Sequence, residues 1–132
     1  MKPHRPRELT REEALRCLAS VRVGRLVYTH QALPAIRPVH HVVDDGEVLI
    51  RGHAGSALLP ALDTVVAYEA DSVSGDDRIG WSVTVTGVAR RLDGTDLGER
   101  LRQWANGDAG YVIWIHPELV TGFGAAEENG TA

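Results

Sequence analysis

Between Pro34 and Ser56 the chain reads PAIRPVHHVVDDGEVLIRGHAGS, and no other stretch limits the possible folds as tightly. Two strand-like runs, Pro34 to Val43 and Glu47 to His53, flank Asp44-Asp45-Gly46. Gly46 accepts the positive φ of a hairpin turn, and an Asp side chain can bond its own turn backbone. The first run carries Pro34 and Pro38, which have no N–H to give to a ladder. That strand therefore needs an edge, or an interrupted ladder near Pro38, and an interruption is where a flat ligand can approach backbone. In the second run, alternation puts Leu49, Arg51 and His53 on one face and Val48 and Ile50 on the other. Two basic side chains thus stand directly ahead of Gly55-Ser56. A helix start there would offer free N–H groups, a hydroxyl and the positive end of a dipole, the ingredients of a phosphate site. Solvated charge on a hairpin is the commoner reading of the same residues.

The rest of the chain alternates short strands with few helices. Residues 1–8 are polar and predict a flexible arm. Thr10 and Glu13 are spaced as a capping box, and Leu9 can staple to Ala14. Ala14, Leu15, Leu18 and Val21 give the apolar side of a short helix, and Gly24 is placed to end this segment or begin the next strand. Strands are expected over Gly24 to Thr29, Thr64 to Ala70, Ile79 to Leu92, Tyr111 to His116 and Glu118 to Phe123. Ser56 to Leu62 predicts a short helix or turn limited by Pro60, Asp71 to Arg78 an acidic loop, and Leu97 to Asn106 a helix. In the longest strand, Trp81, Val83, Val85, Gly87 and Ala89 share one face. The alternate face, from Ser82 to Arg90, is polar enough to line a site or meet water. Gly87 predicts a bulge or a close approach of backbone. The pattern is mainly β: a six- to seven-stranded antiparallel barrel over residues 9–123, with a few short helices and a disordered tail over 124–132.

With 132 residues the chain is one domain by size. A net charge of −4 gives no general footprint for nucleic acid or an anionic membrane. The single cysteine, Cys17, excludes an internal disulfide framework and a cysteine-cluster zinc site, and suits a reducing cytosol. Met1 to Leu9 has no apolar core of a signal peptide, and no apolar run approaches the ~20 residues that span a bilayer. A cytoplasmic domain without nucleic-acid or membrane partners is expected. There is no GxSxG, Walker A or GxGxxG pattern. His40 and His41 point to opposite faces of a strand, so they do not chelate one metal together, and no metal site is expected.

The pattern PAIRPVHHVVDDGEVLIRGHAGSALLPAL, followed by GWSVTVTGVARRL and IHPELVTGF, resembles the pyridoxamine 5′-phosphate oxidase-like family of FMN-binding split β-barrels. The likeness is to its small actinobacterial-type, nitroimidazole-resistance-related members, and it runs from Leu9 to Phe123. It implies a split antiparallel barrel and a homodimer with two flavins at the subunit interface. It places Arg37, Pro38, Val39 and His40 beside the isoalloxazine ring, and Arg51, His53, Gly55, Ser56 and Ala57 near the ribityl phosphate. It brings Trp81 and Ser82 to the flavin from the partner subunit. Without the resemblance, Trp81 and Trp104 read as core or interface aromatics. Many members carry Lys after the Gly-containing loop, where this chain has Ala57-Leu58. Losing one charge-assisted bond costs about 1.5–3 kcal/mol, so the resemblance implies FMN that binds weakly or is lost on purification. The implied function is flavin-dependent redox chemistry on a small molecule, nitro-group reduction included, with deazaflavin F420 as a substitute cofactor. The competing reading is a carrier or sensor that binds flavin or haem, for which His30, His40, His41, His53 and His116 are available axial ligands.

Overall fold

The computed structural model describes residues 7–51, 57–73, 76, 78–92, 104 and 111–124. Eight strands are formed: β1 (Arg7–Glu8), β2 (Val23–His30), β3 (Leu33–Asp44), β4 (Glu47–Arg51), β5 (Val65–Val73), β6 (Ile79–Leu92), β7 (Val112–Ile115) and β8 (Leu119–Gly124). One helix, α1 (Arg11–Ala19), and a 3-10 turn over Leu59–Ala61 complete the described elements. Of the expected arm over 1–8, Arg7–Glu8 form β1 instead, and of the expected tail over 124–132, Gly124 ends β8; the rest of both, and the helix over 97–106 except Trp104, lie outside the described residues.

The strand order is β1-β8-β6-β5-β2-β3-β4-β7, all antiparallel, and β7 also pairs with β6. Six strands therefore close on themselves as a barrel, with β8 and the short β1 as an outrigger on β6. The split lies on one edge of β6. Trp81 to Thr86 pair with β8, and Ala89 to Leu92 pair with β7. Gly87 sits at the changeover, where a Cβ would collide with the carbonyl oxygen of His116. The close approach anticipated at Gly87 is thus what lets one strand serve two neighbours.

Local chemistry explains the elements. Thr10 caps α1: its Oγ1 accepts from the Glu13 N–H at 3.1 Å, and the Glu13 carboxylate accepts from the Thr10 N–H at 2.9 Å. Such a box satisfies two orphan donors of the first turn. The helix ends at Ala19, so Gly24 does not end it and lies inside β2 instead. Gly24 is there because the Tyr68 ring passes over it: a Cβ at this position would meet the Tyr68 hydroxyl, and the Glu69 carbonyl oxygen at 2.7 Å. The barrel interior is filled by alternate residues of each strand, among them Leu26, Tyr68, Val83, Val85 and Ile50, all fully buried. Removing a side chain of this size from water contributes about 1.5–3 kcal/mol. Leu49 departs from the simple alternation. It faces outward with Arg51 yet is buried, because Val42, Leu92, Val112, Trp104 and Trp114 form a second apolar cluster over it.

β3 turns both prolines away from its β2 ladder. The His41 N–H donates to the Arg22 carbonyl at 2.9 Å, so odd-numbered N–H groups of β3 face the β2 side. Even-numbered ones, including the positions of Pro34 and Pro38, face the other way. From Leu33 to Val39 no strand among the described residues pairs on that other side: the described pairing with β4 starts at His40. The β2–β3 ladder is therefore uninterrupted through Pro38, which stands opposite Arg25.

Candidate functional site

The open edge of β3 lies between two cavities. One, of about 620 Å³, is lined by Arg22, Val23, His40, His41, Val42, Arg51 and Trp104. The other, of about 610 Å³, is lined by Tyr28, His30, Ala35, Arg37, Ala57, Leu59 and Pro60. The expected site residues are thus divided. His40 and Arg51 are cross-strand partners in the first cavity, while Arg37 and Ala57 meet in the second. Pro38 is exposed on the edge between them, and Val39 points into the core at 2% exposure. His53, Gly55 and Ser56 lie outside the described residues. Trp81 and Ser82 line neither cavity: Trp81 is half-buried against the core, and Ser82 pairs with Asp71 and Phe123.

The edge itself is poor in donors. Of the even-numbered residues facing it, Pro34 and Pro38 have no N–H, which leaves Ile36 as the backbone donor between Leu33 and Val39. The carbonyls of the same residues share its direction, and Arg37 folds its guanidinium back onto the Ile36 carbonyl at 2.9 Å. Such an edge discourages pairing with another strand.

Arg51 is held from two directions. Its Nη1 donates to the Trp104 carbonyl at 3.0 Å, and its guanidinium carbon lies 5.4 Å from the centre of the Trp104 ring. A stacked, bonded guanidinium is a preorganised cation. His41, on the opposite face of β3 from His40, is 1% exposed. Its Nε2–H donates to the Leu18 carbonyl at 2.8 Å, so its Nδ1 is the acceptor of the Tyr68 hydroxyl, which it meets edge-on. Burial holds the His41 imidazole below the usual histidine range and pushes the Tyr68 phenol up. Both ring nitrogens of His41 are occupied, which leaves it no free lone pair for a haem or metal. Glu47 accepts from the Trp114 indole at 2.6 Å and from His116, away from both cavities. Among the described residues no three His, Cys, Asp or Glu side chains converge as a metal site.

Sequence reasoning missed Arg22, Tyr28 and the part played by Trp104. Arg22 follows α1 with no motif to mark it. Tyr28 is buried, with its hydroxyl donating to the Ala57 carbonyl at 2.8 Å. It ties the barrel to the turn that carries the expected phosphate loop.

A closed six-stranded antiparallel barrel with an outrigger, a proline-blunted open edge and flanking cavities defines the class. Within it, the family described as pyridoxamine 5′-phosphate oxidase matches residues 10–121, so the chain belongs to that family. It is 42% identical to the uncharacterized protein Rv0080 of Mycobacterium tuberculosis, over 94% of this chain and 88% of that one. Among solved structures it is similar to the FAD binding protein from Mycobacterium smegmatis. The TM-score is 0.73 at 29% identity, covering 93% of this chain and all (100%) of the other. A FAD-binding protein from Mesorhizobium loti shares the fold, with a TM-score of 0.72 at 21% identity and coverage of 95% and 100%. No helix among the described residues is long and apolar enough to cross a membrane.

Proposed function

We propose that this chain binds a flavin, FMN in our reading, along the open edge of β3, and uses it to oxidise or reduce a small molecule. The observation that carries the proposal is the edge itself. The pyrimidine side of an isoalloxazine presents one N–H between two carbonyl oxygens. Ile36 offers a carbonyl to accept from the ring N–H and an N–H to donate to one of the two ring oxygens, which leaves one more donor to be supplied. His40 can add a donor. Arg51 supplies the cation for the phosphate, together with the expected contributions of His53, Gly55, Ser56 and Ala57. The FAD-binding relative at 29% identity supports a flavin in general. When bound, the flavin supplies the electron-transferring ring, and the protein orients it and keeps its face accessible.

The same reading includes a homodimer. One row across the outer sheet face runs Ile36, Val27, Ala67, Thr86, Leu119 in register. Its ends are exposed apolar residues, Ile36 at 55% and Leu119 at 58%. A second copy on this face would cover them and bring Trp81 and Ser82 toward its partner's flavin.

The test is a spectrum and a titration. Purified protein is mixed with FMN, FAD, riboflavin, F420 and haem in separate arms, and absorbance, fluorescence quenching and light scattering are recorded. Quenching by FMN or FAD at micromolar ligand, by a dimer, supports the reading; a Soret band without flavin uptake replaces it with haem. Turnover of a nitroaromatic by the loaded protein distinguishes an enzyme from a carrier.

A further inference from the structure

His41 is the one buried polar side chain in the barrel wall among the described residues, and it is tied to three other elements. Its side chain bonds the Leu18 carbonyl on α1 and the Tyr68 hydroxyl on β5, and its N–H bonds the Arg22 carbonyl at 2.9 Å. Ser20 to Arg22 is the link from α1 to β2, and Leu18 lies just before it. His41 therefore grips both ends of that link. Arg22, its last residue, lines the same cavity as His40 and Arg51, and Val21 lines the smaller neighbouring space of about 370 Å³ with Asp44 and Trp104.

We propose that His41 is the positioning residue of this groove: neutral, it holds the α1–β2 link against β3, and protonated, it releases that wall and loosens the ligand. The inference about the ligand rests on the flavin reading above. The tautomer sets the mechanism. A carbonyl accepts at Nε2–H, so Nδ1 must stay unprotonated to accept from Tyr68. A proton added at Nδ1 sets donor against donor and places an unpaired charge under the groove. Tyr68 from β5 meets the ring edge-on and α1 presents the Leu18 carbonyl; His40 is its neighbour on β3, and Asp44 of β3, Arg51 of β4 and Arg22 of the link line the cavities that His41 also lines. His40 next to it opposes the added charge, and burial opposes it more. The sign follows. The folded-state His41 titrates below the unfolded one, so acid favours states in which the imidazole is exposed, and the grip is complete above the ordinary histidine range.

The experiment reads the wall and the ligand separately. Hydrogen exchange, corrected for intrinsic rates, is followed for the His41 amide and for the Val21 amide, which bonds the Leu18 carbonyl at 3.4 Å. It is measured on the protein without ligand from neutral pH downward, and FMN and FAD affinities are measured over the same range. Wild type is expected to lose protection at both amides as pH falls, and to lose up to about tenfold in flavin affinity per pH unit below the transition, the limit for one linked proton. His41→Gln should abolish both pH dependences. Tyr68→Phe keeps His41 but removes the donor that favours its neutral form, so it should move the transition to higher pH; its melting temperature at neutral pH shows that it folds. Protection independent of pH in the wild type, or an unmoved transition in Tyr68→Phe, would overturn the proposal. A transition in exchange without one in flavin affinity would overturn its ligand half. No flavin uptake at any pH would overturn the reading of the groove, while the exchange data still decide the wall.

Discussion

The two halves of β3 differ in what pairs with them among the described residues. From His40 to Asp44 it is bonded on the β4 side, and at His40 it has neighbours on both sides. From Leu33 to Val39 its one neighbour among the described residues is β2. Both prolines of the strand fall in the second group, at positions whose missing N–H would point to the open side. A strand that is half interior and half edge can anchor a barrel and still offer backbone to a ligand. The largest test of this division moves a proline across it. Val42 has the parity of Pro38, but its N–H faces β4. Val42→Pro removes a ladder donor and should cost about 1–3 kcal/mol in urea denaturation for the carbonyl left unpaired, measured against Val42→Ala so that the lost side chain is subtracted. If the two variants are equally stable, the even-numbered N–H groups are not bonded there and the contrast fails.

An effect of similar size lies at the boundary. Arg51 stands opposite His40, the last pair before the edge opens. Arg51→Ala should weaken FMN by roughly ten- to hundredfold, the worth of one charge-assisted bond of about 1.5–3 kcal/mol, and leave riboflavin nearly unchanged. Equal losses for the two ligands would remove the phosphate from this end of the groove.

How far the sequence carried depended on where the deciding atoms lie. β6, Ile79 to Leu92, was legible because apolar and polar residues alternate from Trp81 to Thr86 and strand-forming residues continue to Leu92. The capping box at Thr10 and Glu13 was legible because both partners are local. The edge character of β3 was legible in its prolines, but not which side was open: that depends on the turn that sets the register. His40 and His41 were correctly given opposite faces, yet nothing near them announced that Leu18 and Tyr68 would take both nitrogens of His41. Leu49 looked like a companion of Arg51 on one strand face and is covered by Val42 together with residues more than forty positions away, Leu92, Trp104, Val112 and Trp114. Among the candidate site residues, alternation placed His40 and Arg51, which converge. Arg22 could not be found, because its position follows from how α1 returns to the sheet.

A smaller effect is expected at Pro38. Pro38→Ala adds a donor to the open edge without breaking any ladder bond. The loss of stability should be about 0.4–1 kcal/mol, from the greater freedom of the unfolded chain. The more telling change is in association: a restored N–H makes the edge a better template for another strand. Light scattering at high concentration should show more self-association than in wild type. A cost nearer that of Val42→Pro would mean that Pro38 is not on an edge.

The smallest effect concerns the turns at the two ends of β3. The turn into the paired half uses Asp45 and Gly46, with φ of 50° and 78°. The turn into the open half uses Gln31 and Ala32, with φ of 52° and 64°. Two positive φ values match the right-handed twist of a two-residue hairpin, but Gly, Asn and Asp tolerate them better than Ala does. That is why the residues of one turn announce its type, while the segment from Gln31 to Pro34 reads only as a turn into the strand. Ala32→Gly removes the Cβ strain and gives back part of the gain as unfolded-state entropy, so a net stabilisation on the order of 0.5 kcal/mol is expected. Gly46→Ala should act in the opposite direction with similar size, since no neighbour lies within 4 Å of its Cβ and only the backbone angle opposes it. Paired thermal melts of the two variants measure this. If Ala32→Gly destabilises instead, the open half of β3 is held by its turn more firmly than its backbone angles indicate, and the β2–β3 turn belongs with the rigid part of the site.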